Sequence, residues 1–204
     1  MAQTVSDRCN PDGAVLMVVD VQNDFCDPAG VMARRGRDVS MAAAMASRLA
    51  AVIRAARVSS VPVVFVRTTH SEQLDSEAWR WRTGIAEEGY VCLEGSWGAE
   101  YFGVEPEPGD VVVTKHRYSA FGAEGLPEAL RAIGRQSLLF TGVATNVCVE
   151  TSLRDAVCAD YLATLVEDCC AAYSPVAHAT TITNVETNFG TVVTSESLLE
   201  CWSR

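Results

Sequence analysis

Basic residues are scarce in this sequence, and they form no cluster. The 204 residues include 16 lysines and arginines against 26 aspartates and glutamates, a formal net charge of −10. Because nucleic-acid-binding proteins present a basic patch to the phosphate backbone, this balance excludes that role. Long apolar runs are also absent, since no stretch approaches the roughly 18 residues that suggest a membrane span. We therefore expect a cytoplasmic protein with neither a nucleic-acid nor a membrane partner.

The sequence also lacks a linker. No stretch rich in serine, glycine or proline divides it, and its length suits one domain with a well-buried core. We expect a single domain over residues 1–204, with the polar residues 1–13 as a flexible N-terminal tail.

Cysteines are plentiful, but they lack the spacing that metal or redox chemistry uses. None of the 8 cysteines forms a C-x-x-C pair, and the adjacent Cys169 and Cys170 cannot easily bridge each other. The pattern argues against zinc knuckles and thioredoxin-type motifs and favours reduced thiols. Most are expected to act as small buried hydrophobes, so that only position can single out a reactive one.

Short apolar runs alternate with longer helical patterns, which predicts an α/β fold. Because strands that are apolar on both faces belong to parallel sheets covered on both sides, about six parallel strands are expected between layers of helices. Strands are predicted at residues 14–19, 61–66, 111–113, 137–140, 161–166 and 191–194. Helices are predicted at residues 39–57, 126–133, 147–159, 175–188 and 196–202.

Residues 68–108 interrupt this alternation. They carry three tryptophans and other aromatic residues among glycines and charges, without a clear period. Such a segment is expected to be either a lid over a binding site or a surface excursion whose aromatic residues pack into a satellite core or a subunit contact.

Three reactive residues follow three of the predicted strands. Asp20, Lys115 and Cys148 each come shortly after an apolar run. Because ligands of such sheets bind beyond the carboxyl ends of the strands, the three side chains are expected to converge there. A carboxylate, an ammonium and a thiol together favour acyl transfer to sulfur. Asp20 would carry the proton, and Lys115 would keep Asp20 ionised and in position.

Cys148 has the most informative position of the three. Residues 143–146 form a predicted turn, and Asn146 as its cap would make Cys148 the second residue of the next helix. The free amides and the dipole of a helix start stabilise a thiolate. The amides of Ala144 and Cys148 are also the expected oxyanion hole for the attacked carbonyl.

Three segments of the sequence resemble the isochorismatase-like cysteine hydrolases. They are VVDVQNDF at 18–25, TKHRYSAF at 114–121 and GVATNVCVET at 142–151, and the resemblance runs from about residue 14 to about residue 195. It implies a Rossmann-like three-layer sandwich with a six-stranded parallel sheet flanked by helices, in a homo-oligomer, a dimer or a tetramer. It also implies that Asp20, Lys115 and Cys148 form the catalytic triad, and that the bond between Val143 and Ala144 is cis.

The thiol of Cys148 favours amide or ureide cleavage within this family, because members that hydrolyse isochorismate typically lack it. Nicotinamidases carry an Asp-x-His and a further His for a metal. This chain has only His70, His116 and His178, and His70 has no partners at ligand spacing. We therefore expect neither a metal nor another cofactor, and structural or surface roles for His116 and His178.

The ureidoacrylate and biuret amidohydrolases are the branch that the sequence resembles most, which implies a small carbamoyl or ureido substrate. The residues expected to line its pocket are Phe25, Trp81, Tyr118, Thr145 and Asn146. Arg82 or Arg117 is a candidate partner for a substrate carboxylate. Asp24 is either a second carboxylate near the site or a turn cap.

Other functions stay open at this point. One is another activity of the family: nicotinamidase, maleamate amidase, N-carbamoyl amino acid amidase or isochorismatase. A second is a catalytically silent binding protein of the same fold. A thiol-based redox sensor is a third, which the lack of a resolving cysteine pair weakens.

Overall fold

The computed structural model describes residues 5–83 and 89–203. Six strands form one sheet with the order β3-β2-β1-β4-β5-β6, and each neighbouring pair is parallel. The strands are β1 Ala14–Val19, β2 Val63–Thr68, β3 Val111–Lys115, β4 Ser137–Val143, β5 Leu162–Ala171 and β6 Gly190–Val193. The predicted α/β fold with a six-stranded parallel sheet is confirmed.

Helices cover both faces of this sheet. The described helices are α1 Val5–Cys9, α2 Asn23–Cys26, α3 Val31–Arg34, α4 Met41–Val58, α5 Glu77–Thr83, α6 Leu126–Ile133, α7 Glu150–Cys158, α8 Pro175–Asn184 and α9 Ser195–Trp202. Two π-helical turns, Thr145–Val149 and Val185–Phe189, adjoin α7 and α8. None of the helices in the described part of the chain is long and apolar enough to cross a bilayer.

Two apolar clusters form the core, one on each face of the sheet. Leu16 and Val18 of β1 belong to the cluster that α4 and α9 cover. Met17 and Val19 belong to the cluster that α6 and α7 cover. Successive residues of a strand point to opposite faces, so a strand buried on both sides is apolar at every position. The continuous apolar run of β1 follows from this place at the centre of the sheet.

The order in which strands are added to the sheet changes direction between β1 and β4. β2 and β3 lie on one side of β1, whereas β4, β5 and β6 lie on the other. Such a switch point opens a crevice beyond the carboxyl ends of the two central strands. The segment that follows β4 therefore enters its helix directly beside Asp20, which follows β1.

Gly142 permits β4 to approach β1 closely just before this crevice. Its φ is +110°, and a Cβ at this position would lie 1.9 Å from the carbonyl oxygen of Val19. No other residue type fits without moving the backbone of β1, because every other side chain begins with a Cβ.

The structure corrects several predicted boundaries. β2 begins and ends two residues later than predicted, β5 continues to Ala171, and Lys115 is the last residue of β3 rather than the residue after it. Apolar runs mark only the buried middle of a strand. Polar residues at the carboxyl ends of β2 and β3 still pair with each other, and β5 pairs with β4 again at Cys170 and Ala171 after an irregularity in the register.

Residues 1–13, which the sequence predicts as a flexible tail, contain the helix α1; residues 1–4 lie outside the described residues. Val5–Cys9 is helical, and Cys9 is buried. The indole of Trp202 donates a hydrogen bond to the carbonyl of Cys9 at 2.8 Å, and the hydroxyl of Ser137 donates to the carbonyl of Arg8 at 2.6 Å. These partners lie far away in sequence, so local polarity did not reveal the contact.

Residues 68–108 contribute both to the cleft and to the main core, rather than to the satellite core that one interpretation expected. Trp79 of α5 lines the cleft beyond the sheet edge, as a lid residue would. Tyr101 and Phe102 instead pack against the core, where Tyr101 meets Phe65 edge-on at 5.5 Å between ring centroids. Residues 84–88 lie outside the described residues.

Candidate active site

Asp20 and Lys115 form an ion pair in the protein interior. The Lys115 Nζ lies 2.6 Å from Asp20 Oδ2, and the two side chains are each 1% exposed. Asp20 holds a φ of +53°, a conformation that is uncommon for residues other than glycine. The pair lies where β1 and β3 end, with β2 between them, as the strand-end positions predicted.

Thr68, the last residue of β2, bridges this pair. Lys115 donates to its hydroxyl oxygen at 2.5 Å, and the hydroxyl donates to Asp20 Oδ1 at 3.0 Å. Because an ammonium only donates and a hydroxyl has one hydrogen, these directions are unambiguous. Gln22 holds the backbone of Thr68 in turn, by donating to its carbonyl and accepting from its amide. Sequence reasoning missed Thr68, because nothing local distinguishes it from any other strand threonine.

Lys115 is the only lysine of the chain, and it is fully buried. Its three protons have three acceptors: Asp20, Thr68 and the carbonyl of Arg117. Burial acts to lower the pKa of Lys115, but the Asp20 carboxylate and, after it, the Cys148 sulfur together outweigh burial, so that the pKa is raised above its ordinary value. Lys115 is therefore a fixed positive charge. The fact that the chain has a single lysine is a sequence signal that would have strengthened the prediction of Lys115 as a site residue.

Cys148 lies in the π-helical turn that joins β4 to α7. The turn begins at Thr145, because the carbonyl of Ala144 accepts from the amides of both Val147 and Val149. The prediction that Asn146 caps the helix is therefore wrong, since Asn146 is inside the turn. Cys148 becomes the fourth residue of the turn instead of the second, still within the first turn of the combined helix.

The thiol of Cys148 interacts with both Asp20 and Lys115. Its pKa is nevertheless raised well above the ordinary value, chiefly by burial; Lys115 lowers it and Asp20 raises it. The sequence predicted a thiolate stabilised by the helix start. The direction of the shift opposes this prediction, because burial disfavours the charged sulfur more than Lys115 favours it. Burial therefore favours the neutral thiol, with the Asp20 carboxylate as the candidate base.

The Val143–Ala144 peptide bond is cis. Ala144 and Cys148 both line the cleft. Their backbone amides remain the predicted oxyanion donors.

The cleft above Cys148 has a volume of about 560 Å³. Phe25, Tyr118 and Asn146 line it, as predicted. Thr145 does not: it is fully buried, and its hydroxyl is paired with the Nδ1 of His178 at 2.9 Å. This contact gives His178 a structural role, holding α8 against the turn that carries Cys148.

Trp79, rather than the predicted Trp81, is the tryptophan of α5 in the cleft. Trp79, Arg82 and Thr83 line the cleft, whereas Trp81 is 85% exposed. Positions i, i+3 and i+4 share one face of a helix, and position i+2 points away. The sequence showed no period here, so it could not indicate which tryptophan faces inward.

Asp24 acts as a cap, the second of the two roles considered for it. Its Oδ1 accepts from the amide of Val31 at 3.0 Å, and its Oδ2 accepts from the amide of Cys92 at 2.7 Å. Gly98 packs against the same carboxylate, where a Cβ would lie 2.1 Å from Oδ2. Asp24 thus joins the start of α3 to residues 92–98 and takes no part in lining the cleft.

The charge of the cleft is opposite to that of the whole chain. Among the described residues, no aspartate or glutamate lines it. The basic side chains that line it are Arg35, Arg37, Arg82, Lys115 and Arg117. The described lining of the cleft is thus basic in a protein whose formal net charge is −10.

His70, Asp75 and Arg117 form a second polar cluster at the cleft wall. The same Asp75 oxygen lies 2.9 Å from His70 Nδ1 and 3.1 Å from the Nη1 of Arg117. The donor set does not suit a metal, because the guanidinium already holds the carboxylate. Within the described ranges, no three His, Cys, Asp or Glu side chains group closely enough to hold a metal ion.

Removal of the Thr68 hydroxyl is expected to impair turnover without unfolding the protein. Thr68→Val leaves Lys115 and Asp20 each without one charge-assisted hydrogen bond, so kcat/KM should fall by roughly 10- to 100-fold. Thr68→Ser keeps the hydroxyl and should restore most of the activity. The measurement is kcat/KM across pH for both variants. Equal losses in Thr68→Val and Thr68→Ser would show that packing, and not the hydroxyl, matters.

Comparison with known proteins finds a family model, curated relatives and solved structures that are similar to this chain. The isochorismatase domain model matches residues 14–197. The ureidoacrylate amidohydrolase RutB of Methylobacterium radiotolerans is 35% identical over 198 residues, which cover 90% of this chain and 77% of that protein. A cysteine hydrolase from Pseudomonas syringae pv. phaseolicola matches with a TM-score of 0.83 at 24% identity, over 95% of this chain and 94% of that one. The N-carbamoylsarcosine amidase of Thermoplasma acidophilum matches with a TM-score of 0.72 at 28% identity, over 90% and 97%.

Proposed function

This chain belongs to the isochorismatase family of hydrolases, and we propose that it is a metal-independent cysteine amidohydrolase. Its reaction would cleave the C–N bond of a small amide, carbamoyl or ureido compound and release ammonia. One observation carries the proposal: Cys148 lines the same cleft as Lys115, whose ammonium is paired with the buried carboxylate of Asp20.

The proton of the thiol would pass to Asp20. Lys115 cannot accept it, because an ammonium has no lone pair and its three protons are already donated. Asp20 keeps lone pairs beyond those that Thr68 and Lys115 use. As the sulfur attacks the carbonyl carbon, the S–H proton moves to Asp20 and the carbonyl oxygen gains the negative charge. The amides of Ala144 and Cys148 would stabilise that oxyanion.

Collapse of the tetrahedral intermediate would release ammonia. Asp20 returns the proton to the departing nitrogen, the C–N bond breaks, and the acyl group remains on Cys148 as a thioester. Water then attacks the thioester with Asp20 as its base, which regenerates the thiol. The balance is one amide and one water consumed, and one acid and one ammonia formed.

The substrate is proposed to carry a carboxylate beside its carbamoyl or ureido group. The basic cleft supports this, because four arginines line it and no carboxylate among the described residues does. Arg117 is already paired with Asp75, so Arg82 is the better placed of the two arginines considered from the sequence. The similarity to ureidoacrylate amidohydrolases agrees with an anionic ureide.

An assay of ammonia release across a substrate panel tests the proposal. Ureidoacrylate, maleamate and N-carbamoyl amino acids carry a carboxylate, whereas biuret and nicotinamide are neutral. We expect the highest kcat/KM among the carboxylates, with an advantage that shrinks as salt screens the arginines. Ammonia from none of these compounds, combined with thermal stabilisation by some of them, would instead support a catalytically silent binding protein.

A further inference from the structure

His70 is a buried imidazole that the proposed reaction does not use. It lies two residues after Thr68, is 6% exposed, and lines the cleft. The indole of Trp79 stacks on one face of its ring, with the ring centroids 5.6 Å apart and an angle of 21° between the ring planes. The guanidinium of Arg117 lies over the same indole, 4.8 Å from its centroid. An imidazole held in this way has a defined orientation.

The contact with Asp75 determines which ring nitrogen carries the hydrogen. Asp75 accepts from Arg117 through the same oxygen that contacts His70 Nδ1, so this oxygen acts as an acceptor. The hydrogen therefore resides on Nδ1. Burial lowers the pKa of His70, with a partial opposing effect of Asp75, which favours the neutral ring. In that form Nε2 has a lone pair and no hydrogen.

Nε2 faces away from Asp75 and has no hydrogen-bond partner among the described residues. It is not sealed in the interior, because His70 contributes to the cleft surface. Apart from Asp75, which contacts Nδ1, the charged groups that act on His70 are Lys115 and Arg117, and both are donors only. A neutral acceptor among these cations suits one kind of substrate group: an N–H.

We propose that His70 is a specificity-determining residue whose Nε2 accepts the internal N–H of a ureido substrate. The inference rests on the proposed function. The nitrogen that leaves as ammonia has to face Asp20, which protonates it. The N–H that remains available is the one on the other side of the attacked carbonyl, between the carbonyl and the carboxylate-bearing part of the substrate.

Two probes that differ by one methyl group test this assignment. N-carbamoylglycine has the internal N–H, and N-carbamoylsarcosine replaces its hydrogen with a methyl group. Their Kd values are measured by calorimetry in the Cys148→Ala protein, in which turnover cannot interfere. We expect N-carbamoylglycine to bind roughly tenfold or more tightly, because the methylated probe leaves Nε2 without a partner.

The matched variants are His70→Phe and His70→Gln in the same background. His70→Phe keeps a ring on Trp79 but removes the acceptor, so the two Kd values should approach each other. His70→Gln returns an oxygen near the position of Nε2 and should restore most of the preference. A purely structural role would weaken both probes equally. The assignment is overturned if His70→Phe keeps the preference, if the parent shows none, or if neither probe binds.

A measurement without substitution at His70 covers the case in which His70→Phe fails to fold. The chain has only three histidines, so the ¹⁵N signals of their rings can be assigned. The Nε2 signal of His70 should be that of an unprotonated nitrogen and should shift when N-carbamoylglycine binds. A protonated Nε2, or no shift, contradicts the assignment. Ammonia release enters none of these measurements, so normal binding without turnover would count against the proposed hydrolysis alone.

Discussion

Replacement of Cys148 by alanine is expected to reduce ammonia release by about 10⁴-fold or more. The substitution removes the atom that forms the thioester, and no other thiol can replace it. Cys26 and Cys92 are buried, do not line the cleft, and their thiols have pKa values raised mainly by burial. Water attacking the substrate directly would also lose the activation that sulfur provides.

The control is Cys158→Ala, which removes the exposed cysteine at the end of α7 and should leave kcat unchanged. The thioester itself can be detected by acid quench and mass spectrometry, as an acyl adduct on the peptide that contains Cys148. Substantial turnover by Cys148→Ala, or an adduct on a different cysteine, would be incompatible with the proposed mechanism.

Replacement of Lys115 by methionine is expected to abolish activity and to destabilise the fold by about 3 to 5 kcal/mol. Methionine has a similar length but no charge, so the carboxylate of Asp20 would stay buried without its counter-ion. Thr68 would keep its hydrogen bond to Asp20 but lose the one from Lys115. Urea unfolding measures the loss, and kcat reports on the site.

The double variant Asp20→Asn with Lys115→Met tests whether the stabilising effects of the two charges depend on each other. Each single variant leaves one buried group without its partner, whereas the double variant removes both charges. Its free energy of unfolding should therefore exceed the value expected from adding the single losses. Additive losses would mean that the two charges do not depend on each other. Activity should stay absent in all three variants.

The raised pKa of Lys115 can be measured without competing signals, because the chain has no other lysine. An isotope label in lysine gives one ammonium resonance to follow against pH. A raised pKa in the folded state means that this interaction stabilises the protein fully below the unfolded pKa. The stabilisation is lost as the pH rises through the folded pKa, so it is complete at neutral pH. A lowered pKa would contradict the ion pair.

Much of the fold could be predicted because its determinants are local. A strand covered on both faces has to be apolar throughout, as β1 shows, and such runs predicted the six parallel strands. The helix over Leu126–Ile133 was predicted to the residue from its apolar pattern. The observed strand ends differ from the predicted ones where polar residues such as Lys115 still pair in the sheet.

The sequence by itself determined the three strand-end positions, because in a parallel sheet all carboxyl ends meet at one edge whatever the strand order. Only the tertiary structure decided which neighbours those side chains have. Thr68 bridges the charges, Trp79 faces inward instead of Trp81, and burial raises the pKa of Cys148. Each depends on burial and on partners from segments distant in the chain. The periodicity and spacing of residues cannot predict those contacts, because each pattern describes only one segment of the chain.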